Sequence, residues 1–89
     1  MSARVWIFHG DSAQYASAVF HDRDSGLAWI ARRRVTGILA EYEVGNGCYD
    51  LAVEQGRFRH SKPHHGSPDH VARFGPGLAH VHVQDGEPM

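Results

Sequence analysis

Histidine is the residue type in this chain with the greatest capacity for chemistry. Four of the eight histidines lie within HSKPHHGSPDHVARF (60–74), and two more lie within LAHVHV (78–83). Neutral imidazole is a common zinc ligand, and histidine is also the side chain that most readily exchanges a proton near neutral pH. The sequence therefore raises two hypotheses at once, a metal site and a catalytic site.

His80 and His82 are the starting pair of the metal hypothesis. Residues i and i+2 of a strand project from one face, so these two imidazoles should point the same way. His64 or His65 would add a third ligand from a nearby loop, and further candidate ligands are His9, His60, His70, Glu41 and Cys48. The chain contains no Cys-x-x-Cys and no His-Glu-x-x-His motif. We therefore expect no cofactor, treat the four imidazoles as solvated, and keep zinc as the alternative.

An anion site is a separate hypothesis for the same stretch. The order Ser67-Pro68-Asp69 is typical of a helix start, with Ser67 as the N-cap and Pro68 at the first helical position. Free amides near Gly66 and Ser67, together with Lys62, could hold a phosphate or a carboxylate. Ser67 and Asp69 can also satisfy those amides themselves, so we favour capping alone.

Two other motifs suggest chemistry and have simpler explanations. FHGDS (8–12) is similar to the nucleophile block of an esterase and lipase family, with Ser12 as the nucleophile, but the Asp-x-x-His pair of such enzymes is missing after residue 60. A hairpin turn accounts for this Gly-Asp-Ser segment. The three arginines 32–34 could contact nucleic acid, but a solvated helix end explains them better.

Composition and charge exclude several classes of protein. The chain has 89 residues, 42% of them hydrophobic, and a formal net charge of −1, which favours one globular domain over residues 1–89 and no strong attraction to nucleic acid or to a membrane surface. The apolar run VWIF is too short for a signal peptide or a membrane span. Cys48 is the single cysteine, so no intrachain disulfide can form, and we expect a cytoplasmic protein.

Hydrophobic periodicity predicts an α+β domain with a mainly antiparallel sheet of about four strands and helices packed on it. The predicted order is β-β-α-β-α-α-β, with strands at 3–9, 15–20, 37–44 and 78–83. The helices are predicted from Asp22 or Asp24 to about Arg34, at 48–55 with Asn46 as the cap, and after Ser67. Gly37 should end the first helix, and residues 84–89 should form a frayed tail.

The faces of the strands can also be predicted. Alternation in GILAEYEV (37–44) places Ala40 and Tyr42 inward with Ile38 and Val44, and Glu41 and Glu43 outward. His80 and His82 should face outward on the last strand. Trp6 and Phe8 should lie in the core, or should form a dimer face if the second side of the sheet is uncovered.

The motifs VWIFHG, SAVF, WIA, KPHHGSP and the terminal H-x-H resemble a family of small uncharacterised bacterial domains, over nearly the whole chain. The resemblance implies one domain and assigns no catalytic residue. Gly26 departs from the pattern, because similar sequences tend to have alanine there, and glycine weakens a helix by about 1 kcal/mol.

The sequence contains signals for all the predicted helices and strands but no recognisable set of catalytic residues. It therefore predicts a noncatalytic binding or accessory domain. We expect an unknown protein partner or a homodimer that forms through the sheet. The alternative is a zinc-binding protein, or a small metal-dependent enzyme, that uses His80 and His82 with His64 or His65.

Overall fold

The computed structural model describes residues 3–89. The chain divides into two compact units. Unit 1 comprises the chain up to Val44 together with Leu78–Met89, and unit 2 is the intervening segment Gly45–Gly77. No helix within residues 3–89 has the length and apolar character needed to cross a membrane.

Unit 1 is an antiparallel sheet with one helix. Its strands and helix, in chain order, are β1 (Arg4–Gly10), β2 (Ala16–Phe20), α1 (Arg23–Arg33), β3 (Gly37–Glu43) and, after unit 2, β4 (His80–Gln84) and β5 (Glu87–Pro88). The strand order in the sheet is β2-β1-β3-β4-β5. Every neighbouring pair is antiparallel. The α+β class and the antiparallel sheet are confirmed, and the described residues form five strands where four were expected.

The fifth strand begins after a two-residue turn. Asp85 and Gly86 both have positive φ, 50° and 88°, which fits the primed turns that suit tight hairpins. Gln84 pairs with Glu87 across this turn. The N–H of Met89 donates to the carbonyl of His82 at 2.9 Å. The segment 84–89, expected to fray, therefore contains a hairpin whose Asp-Gly signal was present in the sequence.

Helix α1 begins and ends through local interactions. The Asp22 carboxylate accepts from the Ser25 amide at 2.7 Å, as expected of an N-cap, and this hydrogen bond lowers the pKa of Asp22. The helix ends at Arg34, which has φ 59° and ψ 34° and donates its N–H to Ile30. The prediction that Gly37 ends the helix was wrong, because Arg34 itself takes the left-handed conformation and Gly37 opens β3.

The core of unit 1 lies between α1 and one face of the sheet. Its fully buried side chains are Phe8, Ile30, Leu39 and Val83. Gly26 lets α1 approach closely, since a Cβ at this position would lie 2.9 Å from Leu39 Cδ2 and 3.2 Å from Phe20 Cδ2. The absence of a side chain at Gly26 therefore compensates, through packing, for the loss of helix propensity.

The predicted inward face of β3 was only partly correct. Leu39 is 0% exposed and packs in the α1 core, whereas Ile38 and Tyr42, expected inward, are half-buried. Ala40 is buried, and Val44 is exposed and lies outside the strand. Successive side chains of β3 do alternate between two faces, as predicted. This alternation alone does not show which of the two faces α1 covers.

Trp6 and Phe8 lie on the covered face of the sheet, packed in the core with α1. Their neighbours Val5 and Ile7 therefore point to the other face and are half-buried. At the sheet edge, β2 contains an irregularity, because Phe8 pairs with Ala18 while His9 pairs with Ala16. A bulge of this kind protects an edge strand from pairing with another chain.

Unit 2 contains two short helices, α2 (Cys48–Glu54) and α3 (Pro68–Ala72). Gly47, rather than the predicted Asn46, precedes α2 as its N-cap, without a side-chain hydrogen bond. Leu51 and Ala52 are the buried residues of α2, whereas Val53 is exposed. Ser67 caps α3 and Pro68 opens it, as the sequence predicted.

Candidate functional site

Seven rings of unit 2 form a continuous cluster, which we call the ring cluster. Neighbouring ring centroids lie 4.6 to 6.3 Å apart. Phe58 is central, with contacts to five of the other rings. The members are Tyr49, Phe58, His60, His64, His65, His70 and Phe74. Imidazoles thus pack here as flat side chains among aromatic rings.

His65 is fixed in one tautomer by its hydrogen bonds. Its Nδ1 accepts from the amides of Ser61 at 3.1 Å and of Lys62 at 3.3 Å. An acceptor nitrogen carries no hydrogen, so the neutral ring holds its proton on Nε2. Desolvation of the half-buried ring, followed by electrostatic interactions with His64, His70, His60 and Lys62, lowers the pKa of His65 from its ordinary value. These interactions therefore favour the neutral form of His65.

His70 is held in the same tautomer. Its Nδ1 accepts from the Gly66 amide at 3.1 Å, and its own backbone N–H donates to Ser67 Oγ at 3.2 Å. The His65 and His70 rings stack, with centroids 4.9 Å apart and an interplanar angle of 30°. The side chain and the backbone of His70 thus tie the start of α3 to the preceding loop.

The two remaining imidazoles of the ring cluster are exposed. His60 forms a hydrogen bond with the Tyr49 hydroxyl through Nε2, and a Cβ on Gly66 would lie only 2.5 Å from its Cε1. Gly66 has a φ of 83°, so glycine is required at this position by both backbone conformation and space. His64 packs edge-on against His65, with ring centroids 4.6 Å apart.

A cavity of about 390 Å³ opens beside the ring cluster. Its lining is His64, Ser67, Asp69, His70, Arg73, Phe74 and Gly75. Arg73 Nε and Asp69 Oδ1 form an ion pair at 3.4 Å, and both side chains are about four-fifths exposed. An exposed pair of this kind is weak, so the Arg73 guanidinium can exchange this partner for another anion.

The four predicted zinc ligands form two pairs. His64 and His65 adjoin in unit 2, and His80 and His82 adjoin in unit 1 with ring centroids 5.2 Å apart. Both members of the second pair are exposed on β4, as predicted. Within residues 3–89, no group of three or more His, Cys, Asp or Glu side chains is placed to hold a metal ion.

The tautomer of His65 bears on its capacity as a ligand. Metal binding requires a free lone pair on an imidazole nitrogen. In His65 the Nδ1 lone pair is used by two amides and Nε2 carries the proton. Of the two alternatives His64 and His65, His64 is therefore the better candidate metal ligand.

The amides of the predicted anion site donate to groups of the chain itself. The Lys62 amide donates to His65, the Gly66 amide to His70, and the Ser67 amide to the carbonyl of His64. The anion hypothesis for Lys62, Gly66 and Ser67 then depends on the Lys62 ammonium group alone.

Ser12, the candidate nucleophile of the FHGDS segment, lies in the turn between β1 and β2 and has a φ of 60°.

Cys48 begins α2 and is half-buried. Burial raises the pKa of its thiol. A backbone hydrogen bond and the positive charge of Arg57 lower this pKa by smaller amounts. A thiol with a raised pKa is a weak nucleophile at neutral pH. This site gives no support to cysteine chemistry.

Four residues of the site were not singled out as site residues in the sequence: Tyr49, Phe58, Arg73 and Phe74. A usable signal did exist in the spacing Ser61 to His65 and Gly66 to His70, because an i, i+4 relation allows an imidazole to reach back to an amide. The spacing alone does not show whether the imidazole accepts or donates.

The fold and the site together define a small α+β protein with a histidine-rich ring cluster beside an open cavity. The chain belongs to a family described as a domain of unknown function (DUF7710), which matches residues 5–89. No curated protein and no solved structure matches the chain. The resemblance to an uncharacterised family of small domains is thereby confirmed, and that family assigns no activity.

Proposed function

We propose that this chain is a noncatalytic cytoplasmic binding domain, and that its ligand site is the cavity of unit 2. The observation that carries this proposal is the lining of that cavity, which combines a guanidinium, two imidazoles and a phenyl ring. A volume of about 390 Å³ is within the ordinary range of small-molecule sites.

The lining favours a small planar anion such as an aromatic carboxylate. Arg73 can hold a carboxylate through two parallel N–H groups, in exchange for the weak contact with Asp69. Phe74 and His70, whose ring centroids lie 5.6 Å apart, offer flat surfaces for a planar ligand. This site shares Ser67 with the anion site predicted at Lys62, Gly66 and Ser67, but its cation is Arg73 in place of Lys62.

Titration with benzoate tests the proposal. We expect benzoate to shift the amide NMR signals of residues 64–75, and Arg73→Gln to weaken the binding about tenfold or more through loss of a charge-assisted hydrogen bond. Acetate, which lacks the ring, and benzyl alcohol, which lacks the charge, should bind more weakly. Arg59→Gln removes an exposed arginine of unit 2 outside the cavity lining and should leave binding unchanged. Equal responses to all three probes, or none to benzoate, would contradict the proposal.

Zinc binding is the second candidate function, favoured by the adjacent exposed rings of His80 and His82. It requires a third ligand, for which His64 or His65 stays a prediction. Purification without an affinity tag, followed by elemental analysis, should then find stoichiometric zinc that is lost in the double variant His80→Ala/His82→Ala. Metal-free protein whose melting temperature is unchanged by added zinc would exclude this function.

Self-association through the sheet is part of the proposal for partners. Val5, Ile7 and Ile38 are half-buried on the face away from α1, and Val19 beside Ile7 is 63% exposed. The bulge in β2 makes this face a better contact surface than the sheet edge. Light scattering after size-exclusion chromatography should show a dimer, and a monomer at high micromolar concentration would contradict it.

A further inference from the structure

We propose that unit 2 is a proton-sensitive unit, which is locked by the neutral forms of His65 and His70 and opens when these rings take up a second proton. The inference rests on the hydrogen bonds of the two rings and is independent of any ligand in the cavity. It goes beyond the proposed function, because it concerns when unit 2 is folded rather than what it binds.

The first step concerns His65. A second proton on this ring must go to Nδ1, because Nε2 already carries one. The protonated Nδ1 would then face two donors, the amides of Ser61 and Lys62, in place of accepting from them. Both amides lose their partner and the loop that contains Lys62 and His64 loses its anchor. Protonation and this loop conformation are therefore incompatible.

The second step concerns His70. Its Nδ1 accepts from the Gly66 amide, so protonation replaces that hydrogen bond by a contact between two donors. Its ring also stacks on that of His65, and two imidazolium rings with centroids 4.9 Å apart would repel each other. The first protonation therefore weakens unit 2, and the second adds charge repulsion to the loss of the amide partner.

The groups around the two rings do not offset this charge. Electrostatic interactions with Lys62, His60 and His64 oppose a second proton on His65, and the Tyr49 ring lies 5.8 Å from the His70 ring, centroid to centroid. Asp69 lines the same cavity, but its side chain is about four-fifths exposed, so water screens its charge. The neighbours of His65 thus oppose a positive charge on its ring. Opening of the unit separates these charges and exposes the rings to water.

The direction of the pH effect follows from the lowered pKa of His65. An unfolded histidine takes up its proton near the ordinary pKa of 6.5, and the folded one only at lower pH. The stability that the neutral ring gives is therefore complete above about pH 6.5. It falls as the pH drops through 6.5, and the loss is complete below the lowered pKa.

Unit 2 depends on these rings more than unit 1 does. Leu51 and Ala52 are the buried apolar side chains of the segment Gly45–Gly77, and the rings of the ring cluster pack against one another in the same segment. The buried core of unit 1 consists of Phe8, Ile30, Leu39 and Val83, with no histidine among them. We expect acid to open unit 2 while unit 1 stays folded.

Hydrogen exchange followed by NMR between pH 7.5 and 5.0, with a chelator present, tests the proposal. After correction for intrinsic exchange rates, the opening of unit 2 should stay nearly constant down to about pH 6.5 and then increase, by at most about tenfold per pH unit for each proton taken up. Tryptophan fluorescence reports on unit 1 alone, because Trp6 and Trp29 are the two tryptophans of the chain, and it should stay constant.

The matched variant is His65→Asn/His70→Asn, because the asparagine Oδ1 can replace Nδ1 as an acceptor and does not titrate. The opening of unit 2 in this variant should change less than threefold over the same pH range. His82→Asn, which removes an exposed histidine of unit 1, should behave as the unmodified chain does. An equal pH dependence in all three proteins would overturn the proposal.

A measurement on the unmodified chain covers the case in which the double variant does not fold. Imidazole ¹⁵N chemical shifts at pH 7.5 distinguish the two neutral tautomers. We expect both His65 and His70 to carry the proton on Nε2 and to leave Nδ1 bare. Protonated Nδ1 on either ring at that pH would refute the lock directly.

Discussion

Replacing Leu39 by alanine should lower the free energy of unfolding of unit 1 by about 2–5 kcal/mol, the usual effect of truncating a fully buried leucine. Leu39 is 0% exposed and belongs to the buried cluster with Phe8, Ile30 and Val83. Truncation leaves a cavity beside Gly26, which has no side chain that could fill it. A loss of this size is a large part of the stability of a chain of 89 residues.

Urea denaturation followed by tryptophan fluorescence measures this effect. Trp29 contacts Phe8, with ring centroids 5.5 Å apart, and so reports on the same core. The control is Val19→Ala, at a side chain that is 63% exposed, and we expect it to change the free energy of unfolding by less than about 0.5 kcal/mol. A loss below 1 kcal/mol for Leu39→Ala would show that Leu39 is not in the core.

Replacing Phe58 by alanine should destabilise unit 2 by about 3 kcal/mol, near the lower end for loss of a large aromatic side chain, because Phe58 is half-buried. Phe58 contacts five rings of the cluster, among them His65 at 4.9 Å and His70 at 5.3 Å between ring centroids. Loss of this side chain removes the packing that holds both imidazoles against their amides. Benzoate binding should weaken together with stability.

The reactivity of Cys48 measures the opening of unit 2 directly. Cys48 is the single cysteine of the chain and is half-buried at the start of α2. At a fixed pH, its rate of modification by a disulfide reagent should rise in Phe58→Ala, by at most roughly a hundredfold as expected from about 3 kcal/mol. Phe58→Leu retains an apolar side chain and should give a much smaller increase. Equal rates in the two variants would show that the aromatic ring is not what packs this cluster.

The features that the sequence predicted well depend on neighbours in the chain. Asp22 caps α1 and Ser67 caps α3 because a short polar side chain reaches the amide three residues ahead, whatever the rest of the fold does. The outward position of His80 and His82 follows in the same way from strand geometry. Such contacts require no knowledge of which element packs on which.

The features that were missed require that knowledge. The alternation of β3 was visible, but the face covered by α1 is decided by the whole sheet, and Leu39 rather than Ile38 packs against the helix. The ring cluster depends on bringing Tyr49 from α2 beside Phe74 after α3. Periodicity in one segment contains no information about such contacts.

The imidazoles show a different kind of limit. The sequence does not show whether the Nδ1 of a histidine accepts or donates a hydrogen bond, because the positions of nearby amides decide this. His65 was therefore a candidate metal ligand from its sequence neighbours alone. Its hydrogen bonds with Ser61 and Lys62 favour a packing role instead.

Gly26 has a consequence for how this family varies. The space that a Cβ would need at position 26 is occupied by the Leu39 side chain, whose two methyl groups lie 2.9 and 3.0 Å from it. The sizes of the residues at 26 and 39 are therefore linked across the helix and the sheet. Members of the family with alanine at position 26 should carry a smaller or differently branched side chain at position 39, so the two positions should covary.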